Sequence, residues 1–144
     1  MKFVSKLKML QSFNILLAED NLINQKLTIK LLERLGCKLD IAINGLEVLE
    51  MVKHKSYDII LMDIRMPDMD GVEATKALTK IYGEERPVII AVTADVFKGA
   101  RERYLAEGLD DYMAKPIDAE RFQAMLLQWV DKIAQKRESI RINY

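Results

Sequence analysis

Cysteine, histidine and tryptophan occur once each in this 144-residue chain, and proline three times. A lone thiol excludes an internal disulfide and fits a reducing compartment. Cys37 follows Gly36 at the end of a helical pattern and precedes a strand pattern, which suits a small buried residue better than a reactive thiol. The lone histidine, His54, lies between Lys53 and Lys55 with no cysteine or second histidine at metal-ligand spacing, so it reads as a surface residue. Long apolar runs are missing too. Nothing approaches the ~20 residues needed to cross a bilayer, and lysines interrupt the N-terminal Met1–Leu10 stretch too often for a signal-peptide core. Neither sign of charge is in excess, with 22 Lys and Arg against 22 Asp and Glu. That balance argues against nucleic acid as the main partner, while leaving room for a local basic patch. Glycine-rich phosphate loops (Gly-x-x-x-x-Gly-Lys-Ser/Thr or Gly-x-Gly-x-x-Gly) are absent, so nucleotide binding has no support. The expectation is a soluble, cytoplasmic protein.

What is present is a chain of single-domain size, 50% hydrophobic, with a regular alternation of patterns. Ile15-Leu16-Leu17-Ala18 is a short apolar run that ends in Glu19-Asp20-Asn21. Ile23, Leu27, Leu31 and Leu35, with Leu32 alongside, recur at helical spacing; Asn21 or Asn24 can cap the start, and Gly36 suits the exit. Leu39, Ile41 and Ile43 alternate with more polar neighbours, the period of a strand near a sheet edge. After Asn44-Gly45, Val48, Leu49 and Val52 mark a shorter helix. Ile59-Ile60-Leu61-Met62 reads as a strand buried on both faces and runs straight into Asp63. Asp70-Gly71-Val72-Glu73 resembles a capping box and opens a helix that reaches Gly83. Val88 to Val92 is a fourth strand, ending at Thr93, and Tyr112-Met113-Ala114 a fifth, closed by Lys115-Pro116. Between them, Val96 to Leu109 has weak apolar spacing and two glycines, Gly99 and Gly108, which predicts a marginal helix. Asp118 caps a last helix whose stripe runs through Phe122, Met125, Leu126, Trp129, Val130 and Ile133. The charged residues beyond it predict a fraying tail. Phe3, Leu7 and Leu10 can line one face of a short helix. The expected organisation is a linker or short helix over 1–12, an α/β domain over 13–134 with βαβ units around one parallel sheet, and a charged tail over 135–144.

In a parallel sheet all strand exits share one edge, where open α/β sheets place their ligand sites. The exits here bring together Glu19 and Asp20, Asp63, Thr93 and Lys115. Each acid alone could merely cap a turn or a following helix. Grouped carboxylates repel, by roughly 4 kcal/mol for two charges ~4 Å apart at an effective dielectric near 20, so the set makes sense around a cation. Oxygen donors without histidine or cysteine favour Mg²⁺. Mg²⁺ and an ammonium neutralise phosphoryl oxygens, while a carboxylate can be the nucleophile.

The ordered set of motifs resembles the receiver domain of two-component response regulators, most closely the receivers attached to hybrid sensor histidine kinases. The matching residues are Ile15 to Asn21 with Asn24-Gln25, Leu61-Met62-Asp63, Met66-Pro67, Met69-Asp70-Gly71, Ala91 to Ala94, and Asp110 to Pro116, within Phe13 to Ile133. The resemblance implies a flavodoxin-like (βα)5 three-layer sandwich of strand order 2-1-3-4-5. It implies that Asp63 accepts a phosphoryl group from phosphohistidine on a histidine kinase or histidine phosphotransfer protein. Mg²⁺ would be held by Asp20, Asp63 and the backbone carbonyl of Arg65, with Glu19 acting through water. Lys115 would contact the phosphoryl group, Thr93 and Tyr112 would form the switch pair with Tyr112 turning inward, and the Lys115-Pro116 bond would be cis. The domain would catalyse its own phosphorylation and slow dephosphorylation, without being a conventional enzyme. It would switch conformation or relay the phosphoryl group onward. The partner would dock mainly through the first helix of the domain, about Asn24 to Leu35. Nucleic acid is not expected, a membrane only indirectly through a parent sensor kinase, and a weak homodimer is left open. A haloacid-dehalogenase-like phosphatase would need a second acid where Arg65 stands. A receiver-like module that is never phosphorylated would be expected to have lost part of the set, and none is lost. Arg65 and Asp95, two residues beyond Asp63 and Thr93, either pair across the site mouth as a lid over the acyl phosphate or stay separately solvated.

Overall fold

The computed structural model describes residues 1–142, which form one sheet with helices on both faces. The strands are β1 (Ile15–Ala18), β2 (Leu39–Ala42), β3 (Ile59–Met62), β4 (Val88–Thr93) and β5 (Asp111–Ala114). All pair in parallel, in the order β2-β1-β3-β4-β5. The α-helices among the described residues are α1 (Phe3–Ser12), α2 (Leu22–Arg34), α3 (Gly45–His54), α4 (Gly71–Tyr82), α5 (Ala100–Ala106) and α6 (Ala119–Ile142). This is the flavodoxin-like order, and its switch point lies between β1 and β3, where the chain leaves β1 to opposite sides of the sheet.

Alternate residues of the strands feed two separate cores, as the two-residue period requires. Leu16, Ile60 and Ile89 face Val48, Ala74, Leu78 and Tyr104, from α3, α4 and α5. Ile15, Leu17, Leu61 and Ile90 face Leu10, Leu32, Phe122, Leu126 and Val130, from α1, α2 and α6. β1 and β3 are buried along their whole length, whereas the edge strand β2 is half-buried up to Ala42. Cys37 is buried and its thiol is pushed up to about 11 by desolvation, as befits an inert packing residue. His54 lies on the surface beside Glu50.

The helix starts follow from local chemistry. Asn21, rather than Asn24, caps α2 by accepting the Asn24 amide at 3.0 Å. Asn44 does the same for α3, and Asp118 accepts the Glu120 amide at 3.0 Å. Asp70 and Glu73 form a full capping box at α4. Gly36 ends α2 at φ +77°, a left-handed position that suits glycine. α5 is only seven residues long, in keeping with its weak spacing. It is held to the body by Asp111, which accepts from Arg101 of α5 at 2.5 Å and from the Trp129 indole of α6 at 2.8 Å. Burial pushes the Asp111 carboxyl up, but the Trp129, Arg101 and Tyr112 amide hydrogen bonds together hold it below its ordinary value.

Two expectations are corrected. The apolar spacing of α2 marks its core face only in part: Leu31, Leu32 and Leu35 pack on the core, but Ile23 and Leu27 are 70% and 57% exposed, and Gln25 and Thr28 turn inward along the first turns. The chain beyond Ile133 does not fray but continues α6 to Ile142. There Lys136 donates to the Glu84 carbonyl at 2.7 Å, and Arg137 bonds Asp58 and lies over the Phe13 ring. α1 is docked rather than loose, through Leu10, with Phe13 just beyond it, and its Gln11 amide donates to the Leu35 carbonyl at 2.9 Å. Among the described residues no helix is long and apolar enough to cross a membrane.

Candidate functional site

β1, β3 and β5 each carry a charged group just past their last residue, and the sheet's own hydrogen bonds pin those groups. The Glu19 amide donates to the Ala42 carbonyl at 2.9 Å, the Asp63 amide to Ala18 at 2.9 Å, and the Lys115 amide to Thr93 at 2.9 Å. The ladder thus runs one residue beyond β1, β3 and β5 and fixes Glu19, Asp63 and Lys115 on one edge. One carboxylate oxygen from each of Glu19, Asp20 and Asp63 lies within 4.8 Å of the others. Glu19 and Asp63 are buried and Asp20 is exposed. The Lys115 ammonium donates to Glu19 Oε1 and, at 3.4 Å, to Asp63 Oδ2. The Arg65 amide donates to Asp63 Oδ1 at 3.3 Å, and the Asn21 amide to Glu19 Oε2 at 3.2 Å. The Lys115-Pro116 bond is cis.

The electrostatics are those of a site short of positive charge. Burial, then the hydrogen bond and charge of Glu19, push the Asp63 carboxyl up to about 7, against the pull of Lys115 and the Arg65 amide. The donor set fits Mg²⁺: hard oxygens alone, two held in the protein and one at the mouth, with no histidine or cysteine in the group.

Sequence reasoning counted Gln25 and Gly71 among the matching residues without giving either a role at the site, and did not single out Tyr104. Gln25, buried in α2, donates to the Glu19 carbonyl at 2.6 Å and so ties that helix to the acidic pair. Gly71 lets the start of α4 approach the backbone of Asp63, since a Cβ there would lie 2.3 Å from the Asp63 carbonyl oxygen. Tyr104 of α5 stacks on Tyr112 with ring centroids 5.8 Å apart. A glutamine in place of an apolar residue was a signal for the first of these, and the Asp-Gly of the α4 cap for the second.

Thr93 and Tyr112 meet on one residue. Thr93, 1% exposed, accepts the Asp95 amide on Oγ1 at 3.1 Å, and the Tyr112 hydroxyl donates to the Asp95 carbonyl at 3.3 Å. The Asp95 side chain in turn accepts from Arg65 Nε at 2.6 Å, so the pairing across the mouth is the arrangement found. Arg65 and Asp95 stand over a cleft of about 930 Å³ that Asp20, Met66, Phe97 and Tyr104 also line.

A parallel sheet with three acids and a lysine at its carboxyl edge defines an α/β protein whose candidate site lies at the strand ends. Its family is equally definite: residues 15–127 match the response regulator receiver domain, and the chain belongs to that family. It is 40% identical over 123 residues to the aerobic respiration control sensor protein ArcB of Escherichia coli, covering 85% of this chain and 16% of that protein. It therefore spans about a sixth of that relative's length. Among solved structures it resembles the receiver domain of the sensor histidine kinase PA1611 from Pseudomonas aeruginosa, which holds a magnesium ion in its active site cleft. That match has a TM-score of 0.75 and 36% identity, over 83% of this chain and 98% of that one. It also resembles a chain of the Saccharomyces cerevisiae co-crystal of the histidine phosphotransfer protein Ypd1 with the receiver domain of Ssk1. There the TM-score is 0.71 and the identity 27%, over 81% of this chain and 88% of that one.

Proposed function

We propose that Asp63 accepts a phosphoryl group from phosphohistidine, and that the domain then relays the group onward or changes conformation around it. The observation that carries this reading is the meeting of three carboxylates within 4.8 Å, with a lysine bonded to two of them. As a carboxylate oxygen of Asp63 forms the O–P bond, the P–N bond to the donor imidazole breaks and its electron pair stays on that nitrogen. A carboxylate needs no general base to become nucleophilic. Lys115, already beside Asp63 Oδ2, is placed to neutralise a phosphoryl oxygen. Asp20, Asp63 and the Arg65 carbonyl would hold Mg²⁺, with Glu19 acting through water; the ion supplies charge neutralisation on the transferring group. Thr93 would exchange the Asp95 amide for the new phosphoryl oxygen, and Tyr112, bonded to the same residue's carbonyl, would register the exchange. The domain so described catalyses its own phosphorylation and slow dephosphorylation, in the cytoplasm. Its partner is a histidine kinase or histidine phosphotransfer protein that docks mainly on α2.

Incubated with Mg²⁺ and a small-molecule phosphodonor, the chain is expected to gain the mass of one phosphoryl group, and chelation by EDTA to abolish the gain. Equal incorporation in EDTA would remove Mg²⁺ from the mechanism. No incorporation from either a small donor or a phosphohistidine protein would overturn the reading.

The Arg65–Asp95 pair acts as a lid against water. Because the Arg65 side chain is 78% exposed, water and salt screen the pair and it is a weak one. Arg65→Ala is therefore expected to speed loss of protein-bound phosphoryl about two- to fivefold, followed as a decay time course after the donor is removed. A decay rate equal to wild type sinks the lid.

A further inference from the structure

Two of the three carboxylates at the site are held through their own side chains, and the third is not. Glu19 meets Lys115 and the Asn21 amide, and Asp63 meets Lys115 and the Arg65 amide. Among the described residues the Asp20 carboxylate has no hydrogen-bond or ion-pair partner, and it is the exposed member of the set. Its place beside the other two therefore depends on its backbone.

That backbone lies just beyond the reach of the sheet. The ladder of β1 ends at the Ala18 carbonyl, which accepts the Asp63 amide, and at the Glu19 amide, which donates to Ala42. α2 begins only at Leu22, so Glu19-Asp20-Asn21 belongs to neither element. Gln25 closes the gap from the first turn of that helix. Its side-chain amide donates to the Glu19 carbonyl at 2.6 Å, and its backbone amide donates to the Asn21 carbonyl at 2.9 Å. The two carbonyls flank Asp20. The first lies in the peptide plane that joins Glu19 to Asp20, and because that unit is planar, holding the oxygen holds the Asp20 nitrogen and Cα with it. Gln25 is 7% exposed and its bond to Glu19 is buried, so water has no easy way to replace the donor. A primary amide costs free energy to bury unless its hydrogen bond is made, and here it is made to the backbone of the acidic pair.

We infer that Gln25 is a positioning residue for Asp20: by fixing the Glu19-Asp20 peptide it sets how Asp20 stands to Glu19 and Asp63, and with that the affinity of the site for Mg²⁺. This rests on the Mg²⁺ reading above and adds to it the residue that tunes the metal. Gln25 acts on the backbone and on none of the carboxylates. Loss of its donor leaves the three acids, Lys115 and the ladder in place and frees one peptide plane. Metal binding weakens, and phosphoryl incorporation suffers only through the metal, so that excess Mg²⁺ restores it.

Gln25→Met tests this, because it keeps the length of the side chain and a good helix former while removing the donor. Calorimetric titration with Mg²⁺ is expected to give a dissociation constant about tenfold above wild type, at the low end of the roughly 10- to 100-fold that outer hydrogen bonds supply to metal sites. Incorporation from a small-molecule phosphodonor is expected to need about tenfold more Mg²⁺ for half its maximum and to reach the wild-type rate at saturation. Thr28→Val, at another buried polar residue of α2, is the control and is expected to leave the Mg²⁺ affinity unchanged. Wild-type Mg²⁺ affinity in Gln25→Met would overturn the inference. Equal weakening in Thr28→Val would do so too, since the effect would then be one of helix packing. A rate that stays low at saturating Mg²⁺ would place Gln25 in the transfer itself and would likewise overturn it. Wild type decides the matter even where the variant does not fold: the Gln25 side-chain amide NMR signal is expected to shift with Mg²⁺ along the same titration curve as the Asp20 backbone amide, and a Gln25 signal that Mg²⁺ leaves unmoved would overturn the inference. Absence of Mg²⁺ binding to wild type strikes instead the reading on which the inference rests.

Discussion

Asp63→Asn is expected to abolish phosphoryl incorporation while making the metal-free fold more stable. The amide matches the carboxylate in size and has no charge, so it keeps the packing of a residue that is 8% exposed but cannot form the acyl phosphate. Stability should rise because the wild-type site holds three carboxylates within 4.8 Å against one lysine. Two such charges ~4 Å apart repel by about 4 kcal/mol at an effective dielectric near 20. Lys115 and the water at the mouth offset much of that, leaving a gain on the order of 1 kcal/mol. Lys115 keeps its bond to Glu19 in the variant, so no buried ammonium is stranded. Mg²⁺ should then raise the melting temperature of wild type and have much less effect on the variant, since it binds the folded acidic cluster. Intact mass after incubation with a phosphodonor checks the first half, and thermal melts with and without Mg²⁺ check the second. Incorporation in the variant would place the nucleophile elsewhere. A variant that melts below wild type without Mg²⁺ would show that Asp63 is held by attraction to Lys115 rather than strained by its acidic neighbours.

The acids and the lysine were legible because each follows an apolar strand that has no reason to end in charge. Four apolar residues running into Asp63 state both the burial of β3 and the place of the exit. Their convergence then follows from parallel pairing alone. What holds the groups in place was not legible. Gln25 sits in a helix whose leucines and isoleucines draw attention to themselves, yet it is Gln25 that turns inward, to the Glu19 carbonyl. The pairing of Arg65 with Asp95 was one of the two arrangements the sequence offered, but Asp95 as the partner of Thr93 and Tyr112 depends on a backbone amide and carbonyl that carry no sequence signal.

The fold departs from its pattern where a face has two uses. Apolar periodicity reports that residues avoid water somewhere, without saying whether the shelter is this chain's core or another molecule. In α6 the stripe from Phe122 to Val130 is core, and the period reads correctly. In α2 the most regular apolar line, Ile23 and Leu27, points outward, because Gln25, Thr28 and Leu32 satisfy the inner face. The continuation of α6 to Ile142 was hidden for the opposite reason. Its last turns are held by polar anchors, Lys136 on the Glu84 carbonyl and Arg137 on Asp58, which look like an ordinary charged tail.

Leu10→Ala is expected to destabilise the protein by about 3 kcal/mol, within the 2–5 kcal/mol range for a leucine cut back in a packed core. Leu10 is fully buried, and it belongs to the same core cluster as Phe13, Leu32, Phe122 and Val130, so α1 supplies interior rather than decoration. The polar contacts of the helix cannot substitute for it. Lys6 meets Asp131 at 2.5 Å, but both side chains are a quarter or more exposed or close to it, at 24% and 30%, and such a pair is worth under ~1 kcal/mol. Lys6→Ala should therefore barely move the urea midpoint, while Leu10→Ala lowers it strongly and drops the melting temperature on the order of 10 °C. α1 ends at Ser12, before β1 enters the sheet, and so lies at the edge opposite Asp63. At a temperature where the variant is still folded, its phosphoryl incorporation should match wild type. A urea midpoint within error of wild type would mean that α1 is not packed into the core. Lost incorporation in a folded variant would mean that the two edges of the sheet are coupled.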